Sequence, residues 1–280
     1  MALFPSEQPE NTTSYIHLRD PNLNRIENSM QYNTDGEPEL RVTLGQTVSN
    51  ADWYLQVALG QITGATSVFK AGYNPTIGAT EESLWGASVI YPWASWDGGG
   101  TLSCVSASAS DTGELHIVGL KSSDWSQVEE VVTLNGLTPV VTTTSFIRIN
   151  NVHYFHSTGN VGAISVSRNG TVVGYIEAGN GQGQMCQYTV PAGNTAFILT
   201  GNANMGKGND GTGKFKYRLY GSNFQTAMTF LLFQSTFTYD FKAPLRLPEK
   251  TDLDVTMVAG NSGTPATCAY SIILVDNSIL

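Results

Sequence analysis

The glycine-rich stretch 201–214 comes nearest to a chemical motif in this chain. Gly201-x-x-x-x-Gly206-Lys207 is followed by Gly208, and Gly208-x-x-x-x-Gly213-Lys214 by Phe215. A phosphate-binding loop needs Ser or Thr after the lysine to hold Mg²⁺, and a helix opening there to present its amides. Neither copy has the hydroxyl, and Lys214 runs into a strand pattern in which Phe215, Tyr217 and Leu219 alternate with Lys216 and Arg218. Gly206-x-Gly-x-x-Gly211 spells the dinucleotide fingerprint, again with no helix pattern behind it. The stretch reads as a Gly/Asn loop between strands.

Other candidate groups are sparser. Asp252 and Asp254 fall on one strand face beside Glu249, an arrangement with oxygen ligands for Ca²⁺ or a carboxylate pair for glycoside hydrolysis. The plainer expectation is solvated carboxylates at a sheet edge, where charge discourages edge pairing. His153 and His156 stand three apart on a strand pattern, which sends their rings to opposite faces, and His17 and His116 are remote in sequence. Cys104, Cys186 and Cys268 form no Cys-x-x-Cys pair, so neither zinc nor a disulfide framework is expected, only buried reduced thiols. There is no Gly-x-Ser-x-Gly elbow. The expectation is a chain with no catalytic residue, no metal site and no cofactor. Trp85, Tyr91, Trp93 and Trp96 crowd into one segment before Gly98-Gly99-Gly100. Three readings stand for them: core packing under a loop, a subunit interface, or stacking on a glycan.

The elements that position these groups are strands. Hydrophobic residues make up 41% of the 280, charged residues only 13%, with 29 Gly and 11 Pro. That composition favours strands and turns over helices, and a charge-poor surface favours packing against neighbours. The formal charge of −9 argues against nucleic acid as a partner, since phosphate binding needs a field of Lys and Arg. Acids concentrate between Glu81 and Glu130 and bases between Arg148 and Lys250. This is either a pair of complementary faces that meet between subunits or an ordinary mixed surface. The N-terminus lacks the pattern of a signal peptide, and no apolar run approaches the ~18 residues of a membrane span, so a soluble product made in a reducing cytoplasm is expected, without membrane contact.

Residues 1–45 are rich in Asn, Glu, Pro and Thr with isolated apolar anchors, among them Phe4, Tyr15, Ile16 and Leu18. They read as an extended arm docked on its own domain or a neighbouring subunit, with a plain N-terminal strand pair as the alternative. Residues 46–280 read as an all-β domain, an antiparallel β-sandwich of jelly-roll-like type, with a possible subdivision near 179–183. Trp53, Leu55 and Val57, and Ile147 and Ile149, alternate with their neighbours as half-buried strands do. Asn169-Gly170 between two apolar runs predicts a two-residue hairpin, and Thr226 to Phe241 is long enough for two strands.

Four stretches carry a resemblance. Glu130-Val-Val-Thr-Leu-Asn-Gly136, continued through Thr138 to Phe146-Ile-Arg-Ile-Asn150, is similar to a segment recurring in uncharacterised structural proteins of tailed bacteriophages, many of them marine or cyanobacterial. Tyr188-Thr-Val-Pro-Ala-Gly-Asn-Thr-Ala-Phe197 and Tyr239-Asp-Phe-Lys-Ala-Pro-Leu-Arg-Leu-Pro-Glu249 resemble the same family, as does the stretch from Asp52 through Tyr73-Asn74-Pro75 to Trp85. The resemblance implies a virion component synthesised in the bacterial host's cytoplasm. The leading expectation is a capsid decoration or cement protein, a homotrimer contacting the major capsid protein or other virion proteins. The alternative is a tail, neck or fibre component that binds a host glycan. Phe4, Tyr15, Ile16 and Leu18 would anchor the arm, and Trp85, Tyr91, Trp93 and Trp96 an interface patch.

Overall fold

The computed structural model describes residues 28–32, 38–42, 53–96, 98–206, 209–233, 236–261 and 263–280. The chain divides into two compact units, 1–59 and 60–280. In the first unit, strands β1 (Asn28–Tyr32) and β2 (Pro38–Val42) pair antiparallel, with Asn28 opposite Val42 and Tyr32 opposite Pro38. A short helix, α1 (Trp53–Ala58), follows. The alternation at Trp53, Leu55 and Val57 predicts a strand, and the structure corrects this: Leu59 N donates to Leu55 O at 2.8 Å, closing a helical turn. Leu, Gln and Ala are good helix formers, and three alternations are too few to separate the two periods. Phe4, Tyr15, Ile16 and Leu18 lie outside the described residues.

The second unit is all-β and antiparallel throughout. Its strands are β3 (Ala65–Ile77), β4 (Glu82–Ser83), β5 (Ser103–Ser106), β6 (Glu114–Lys121), β7 (Gln127–Thr133), β8 (Val140–Val141), β9 (Phe146–Phe155), β10 (Ile164–Arg168), β11 (Thr171–Ile176), β12 (Tyr188–Thr189), β13 (Asn194–Met205), β14 (Asp210–Arg218), β15 (Gln225–Phe233), β16 (Phe237–Leu247), β17 (Asp252–Ala259) and β18 (Thr264–Asp276). They form four sheets, ordered β11-β10-β5-β8, β7-β6-β9, β12-β17-β14-β15 with β4 also on β17, and β16-β13-β18-β3. The expected single jelly-roll-like sandwich is not this arrangement, which is nearer to four blade-like sheets than to two opposed ones.

The apolar residues explain the division. One core draws on the first two sheets, with Leu115, Ile117, Phe146, Ile149, Val166 and Ile176 among its members. The other draws on the last two, through residues such as Ile198, Phe215, Phe230, Val255 and Ile272. Two cores require strands whose both faces are covered. β17 is buried along nearly its whole length, and β9 buries Arg148 and Asn150 as well as Ile147 and Ile149. The half-buried alternation expected at Ile147 and Ile149 is therefore corrected, because the face opposite the first core meets β12: Asn150 Nδ2 donates to Thr189 O at 2.9 Å and Thr189 N to Asn150 Oδ1 at 2.8 Å. In sequence the first core ends at Met185, and Cys186 belongs to the second.

The Asn169-Gly170 hairpin is as its residues dictate. Arg168 faces Thr171, and the two turn residues take φ of 48° and 80°. Both central positions of a primed turn need that left-handed backbone, which Asn tolerates and Gly adopts freely.

Candidate functional site: a cation–aromatic ladder around Asp252 and Asp254

Asp252 and Asp254 are neither solvated nor at a sheet edge. β17 is an interior strand, flanked by β12 and β14, and both carboxylates are buried. Their i, i+2 spacing puts them on one face, as expected for a strand. The cross-strand register sets Thr189 on one side of Asp252 and Arg218 on the other. Thr189 Oγ1 donates to Asp252 Oδ1 at 2.6 Å, and Arg218 Nε and Nη2 donate to Oδ2 at 2.9 and 2.5 Å. Arg148 arrives from β9 and completes the set, with Nε 2.8 Å from Oδ1 and Nη2 3.1 Å from Oδ2. Two guanidinium groups on one carboxylate leave no lone pair, and no favourable field, for Ca²⁺.

Asp254 sits deeper. Trp93 Nε1 and Ser83 Oγ donate to its Oδ2 at 3.0 and 2.8 Å, and Gln187 Nε2 to its Oδ1 at 2.7 Å. Burial pushes this carboxyl above its ordinary value, and the donors from Trp93, Gln187 and Ser83 offset part of the rise. With their oxygens committed to protein donors, Asp252 and Asp254 do not form the free acid/base pair of a glycosidase. They fasten strands to one another.

Around Asp252 cations and rings alternate as far as Trp125, where one ring meets another. Arg218 lies 4.8 Å from the Phe224 ring centroid and 5.6 Å from that of Trp93. Arg148 lies 5.7 Å from the same Trp93 ring on one side and 5.1 Å from Trp125 on the other. Trp125 meets Tyr220 edge to face at 5.4 Å, and Lys250 Nζ stands 5.3 Å from the Tyr220 ring. The run Phe224–Arg218–Trp93–Arg148–Trp125–Tyr220–Lys250 is continuous. Each cation–ring contact is worth about 0.5–1 kcal/mol where exposed and about 2 where desolvated.

The tryptophan-rich segment belongs to this framework from the inside. Trp93 and Trp96 lie on a 3-10 turn, Trp93–Trp96, and Trp85, Tyr91, Trp93 and Trp96 are all buried. Tyr91 Oη donates to Val173 O at 2.9 Å and accepts from Trp96 Nε1 at 3.2 Å. Of the three readings of these residues, core packing is the one their burial supports; as surface anchors or glycan platforms they are displaced. Sequence reasoning missed Trp125, Tyr220 and Phe224, and placed Arg148, Arg218 and Lys250 only within an excess of bases.

The remaining groups serve the fold. Glu81 joins the acidic segment to the basic one within the chain, accepting from Lys214 at 3.1 Å, from Lys216, and from Thr256 Oγ1 at 2.6 Å. His116 lies opposite His153 in the β6–β9 register, with Nδ1 2.5 Å from Glu129 Oε1. Lys214 lies within β14, and the Gly/Asn loop expected over 201–214 is corrected: Gly201 to Met205 continue β13 and Asp210 to Lys214 begin β14, because glycine and asparagine are tolerated where neighbouring strands supply the pairing. All three cysteines are buried free thiols. Among the described residues, no helix is long and apolar enough to cross a membrane.

No family model and no curated protein matches this chain. Among solved structures, it is similar to the infectious bursal disease virus VP2 subviral particle at 8% identity, covering 90% of this chain and 64% of that one, with a TM-score of 0.21. The T=1 particle derived from the same virus gives 11% identity, 90% and 62% coverage and a TM-score of 0.21. The PBSX exported protein XepA gives 11% identity over 86% of this chain and 97% of that one, with a TM-score of 0.19. The chain thus spans less than two thirds of the chains in those two bursal disease virus particles, and likeness at this level assigns neither a family nor a role.

Proposed function

We propose that this chain is a non-enzymatic structural protein of a tailed-bacteriophage virion, and that it acts as a capsid decoration or cement protein. The observation that carries the reading is strand β15. It forms one edge of its sheet, it is nine residues long, and it contains no charge, no proline and no glycine. Its unpaired edge bears exposed apolar side chains, Leu231 at 55% and Phe233 at 64% exposure. A soluble protein that stays alone guards such an edge with lysine, proline or a bulge, because unpaired N–H and C=O groups accept a strand from another chain. Here the strand's one irregularity is a bulge at Ala227, and from Met228 to Phe233 no lysine, proline or strand partner among the described residues covers the edge, which suits strand addition between subunits.

The low charge content and the resemblance to phage structural proteins support the same role. In it, copies of the chain associate as a trimer, the residues Phe4, Tyr15, Ile16 and Leu18 anchor the N-terminal arm on a neighbour or on the major capsid protein, and many identical contacts stiffen the shell.

The test is particle incorporation of a β15 variant. Thr229→Lys with Leu231→Lys charges the edge without touching the inward Phe230 and Leu232. The folded variant is expected to be monomeric in light scattering and absent from purified particles. Wild-type density confined to the tail vertex in electron cryomicroscopy, or normal shell incorporation of the variant, would overturn the proposal.

A further inference from the structure

The outer end of the ladder opens on a cavity of about 380 Å³. Small-molecule sites generally run from about 300 to 1,000 Å³, so this space is large enough for a sugar residue. Among the described residues its charged lining is Arg148, Arg218, Lys250 and Asp252, three cations to one anion, in a chain whose net charge is −9. Arg218 spends Nε and Nη2 on Asp252, and its Nη1 has no bonded partner among the described residues. Among them Lys250 has no carboxylate partner either, only the face of Tyr220.

Two of the lining residues are held in strained backbone. Trp125 has φ of 63° and Lys250 of 59°, so they supply half of the four non-glycine residues with positive φ among the described residues. Asn169, by contrast, needs that conformation for its hairpin. A bulky side chain in the left-handed region costs free energy that the surrounding structure must supply, and such residues cluster where side chains have to be aimed. Backbone bonds hold both in place: Ala192 N donates to Trp125 O at 3.0 Å, and Lys250 N donates to Val190 O at 2.8 Å. The effect is to present an indole and an ammonium group to one space.

We propose that this cavity binds an acidic sugar residue, whose carboxylate lies between Lys250 and Arg218 and whose apolar ring face stacks on Tyr220 while Trp125, perpendicular to that ring, walls its side. Inorganic phosphate or sulfate would leave the cavity mostly empty and the two rings unused. A nucleic-acid strand would need a basic track running beyond the cavity, and the chain's acidity opposes one. A uronic acid matches both halves of the lining, one charge for the cations and a C–H face for the rings. This inference does not depend on the assembly reading; a shell protein and a tail protein can each carry such a site.

The experiment is calorimetric titration of the full chain at low ionic strength with trigalacturonate, with neutral galactotriose and with sodium sulfate. Trigalacturonate is expected to bind saturably and at least about tenfold more tightly than galactotriose. Lys250→Ala and Tyr220→Ala, both at the rim and both checked for unchanged thermal unfolding, should each weaken it by about fivefold or more. Absence of saturable trigalacturonate binding overturns the proposal. So does equal binding of galactotriose, which would make the cations irrelevant. Sulfate binding as tight as the uronide's, with no loss in Tyr220→Ala, would leave a bare anion site and overturn the sugar assignment.

Discussion

Arg148 and Asp252 are 104 residues apart and meet through two parallel hydrogen bonds of 2.8 and 3.1 Å, tying β9 of one sheet to β17 of another. Arg218 shares the same carboxylate. Asp252 is thus the single negative charge between two guanidinium groups in a largely buried setting. Its replacement exposes each cation to the other. Asp252→Ala is expected to lower unfolding free energy by about 3–5 kcal/mol, the usual cost of orphaning a buried ion. Urea unfolding followed by tryptophan fluorescence reads this directly, and a loss below about 1 kcal/mol would mean that water enters and screens the pair.

Glu81 should make the protein acid-sensitive at an identifiable site. Burial alone would raise its carboxyl, yet bonds from Lys216, Thr256 and Lys214 hold it at about 2, below the ordinary 4.5. The unfolded chain therefore binds the proton first as pH falls, so the stabilisation is whole above 4.5 and is lost on the way down to about 2. Because the cluster is partly solvated, about 1–2 kcal/mol is at stake. Glu81→Gln should be less stable than wild type at pH 6, with the gap closing by pH 2.5.

Lys70 works in the same sense at high pH, through loss of a charge rather than its gain. It is buried on β3, Nζ donates to Asn150 O, and burial lowers its value to about 8 from 10.5. Between those values the unfolded chain holds more protons, so stability rises with pH, by about 3 kcal/mol in all. The unfolding free energy of wild type minus that of Lys70→Met should increase from pH 8 to pH 10. A difference that stays flat would show that Lys70 keeps its water.

Thiol chemistry offers a simple check on the cores. Cys104, Cys186 and Cys268 are buried, and burial pushes the Cys104 thiol up to about 12 and that of Cys186 well above its ordinary value. Since the thiolate is the reactive form, an aromatic disulfide reagent should find no thiol in the native protein and all three in denaturant. Rapid reaction of one thiol in the folded state would place an opening at that cysteine.

Much of the fold is legible because period and turn chemistry are local. Phe215 and Tyr217 alternate at the spacing of a strand, although Leu219 lies just past its end, and Asn169-Gly170 specifies a primed turn whatever surrounds it. The absence of a hydroxyl after Lys207 and Lys214 disposes of phosphate loops without coordinates, and an odd number of scattered cysteines points to reduced thiols. The failure at Trp53, Leu55 and Val57 has a local cause as well, a window too short to separate the two periods.

The site residues are another matter. Asp252 and Asp254 look like edge carboxylates in sequence, because nothing near them announces that β12, β14 and β9 will enclose them. Trp93 looks like a candidate surface anchor until Arg148 and Arg218 are found beside its ring. Sequence alone determined antiparallel strands, their hairpin and the lack of a familiar catalytic motif, because those follow from backbone geometry within a few residues. Only the tertiary structure decided which faces are buried, which charges pair and where a cavity opens. Those outcomes depend on strands pairing across 34 residues for Arg218–Asp252 and on sheets packing across 104 for Arg148–Asp252, and no local pattern encodes a neighbour that far away.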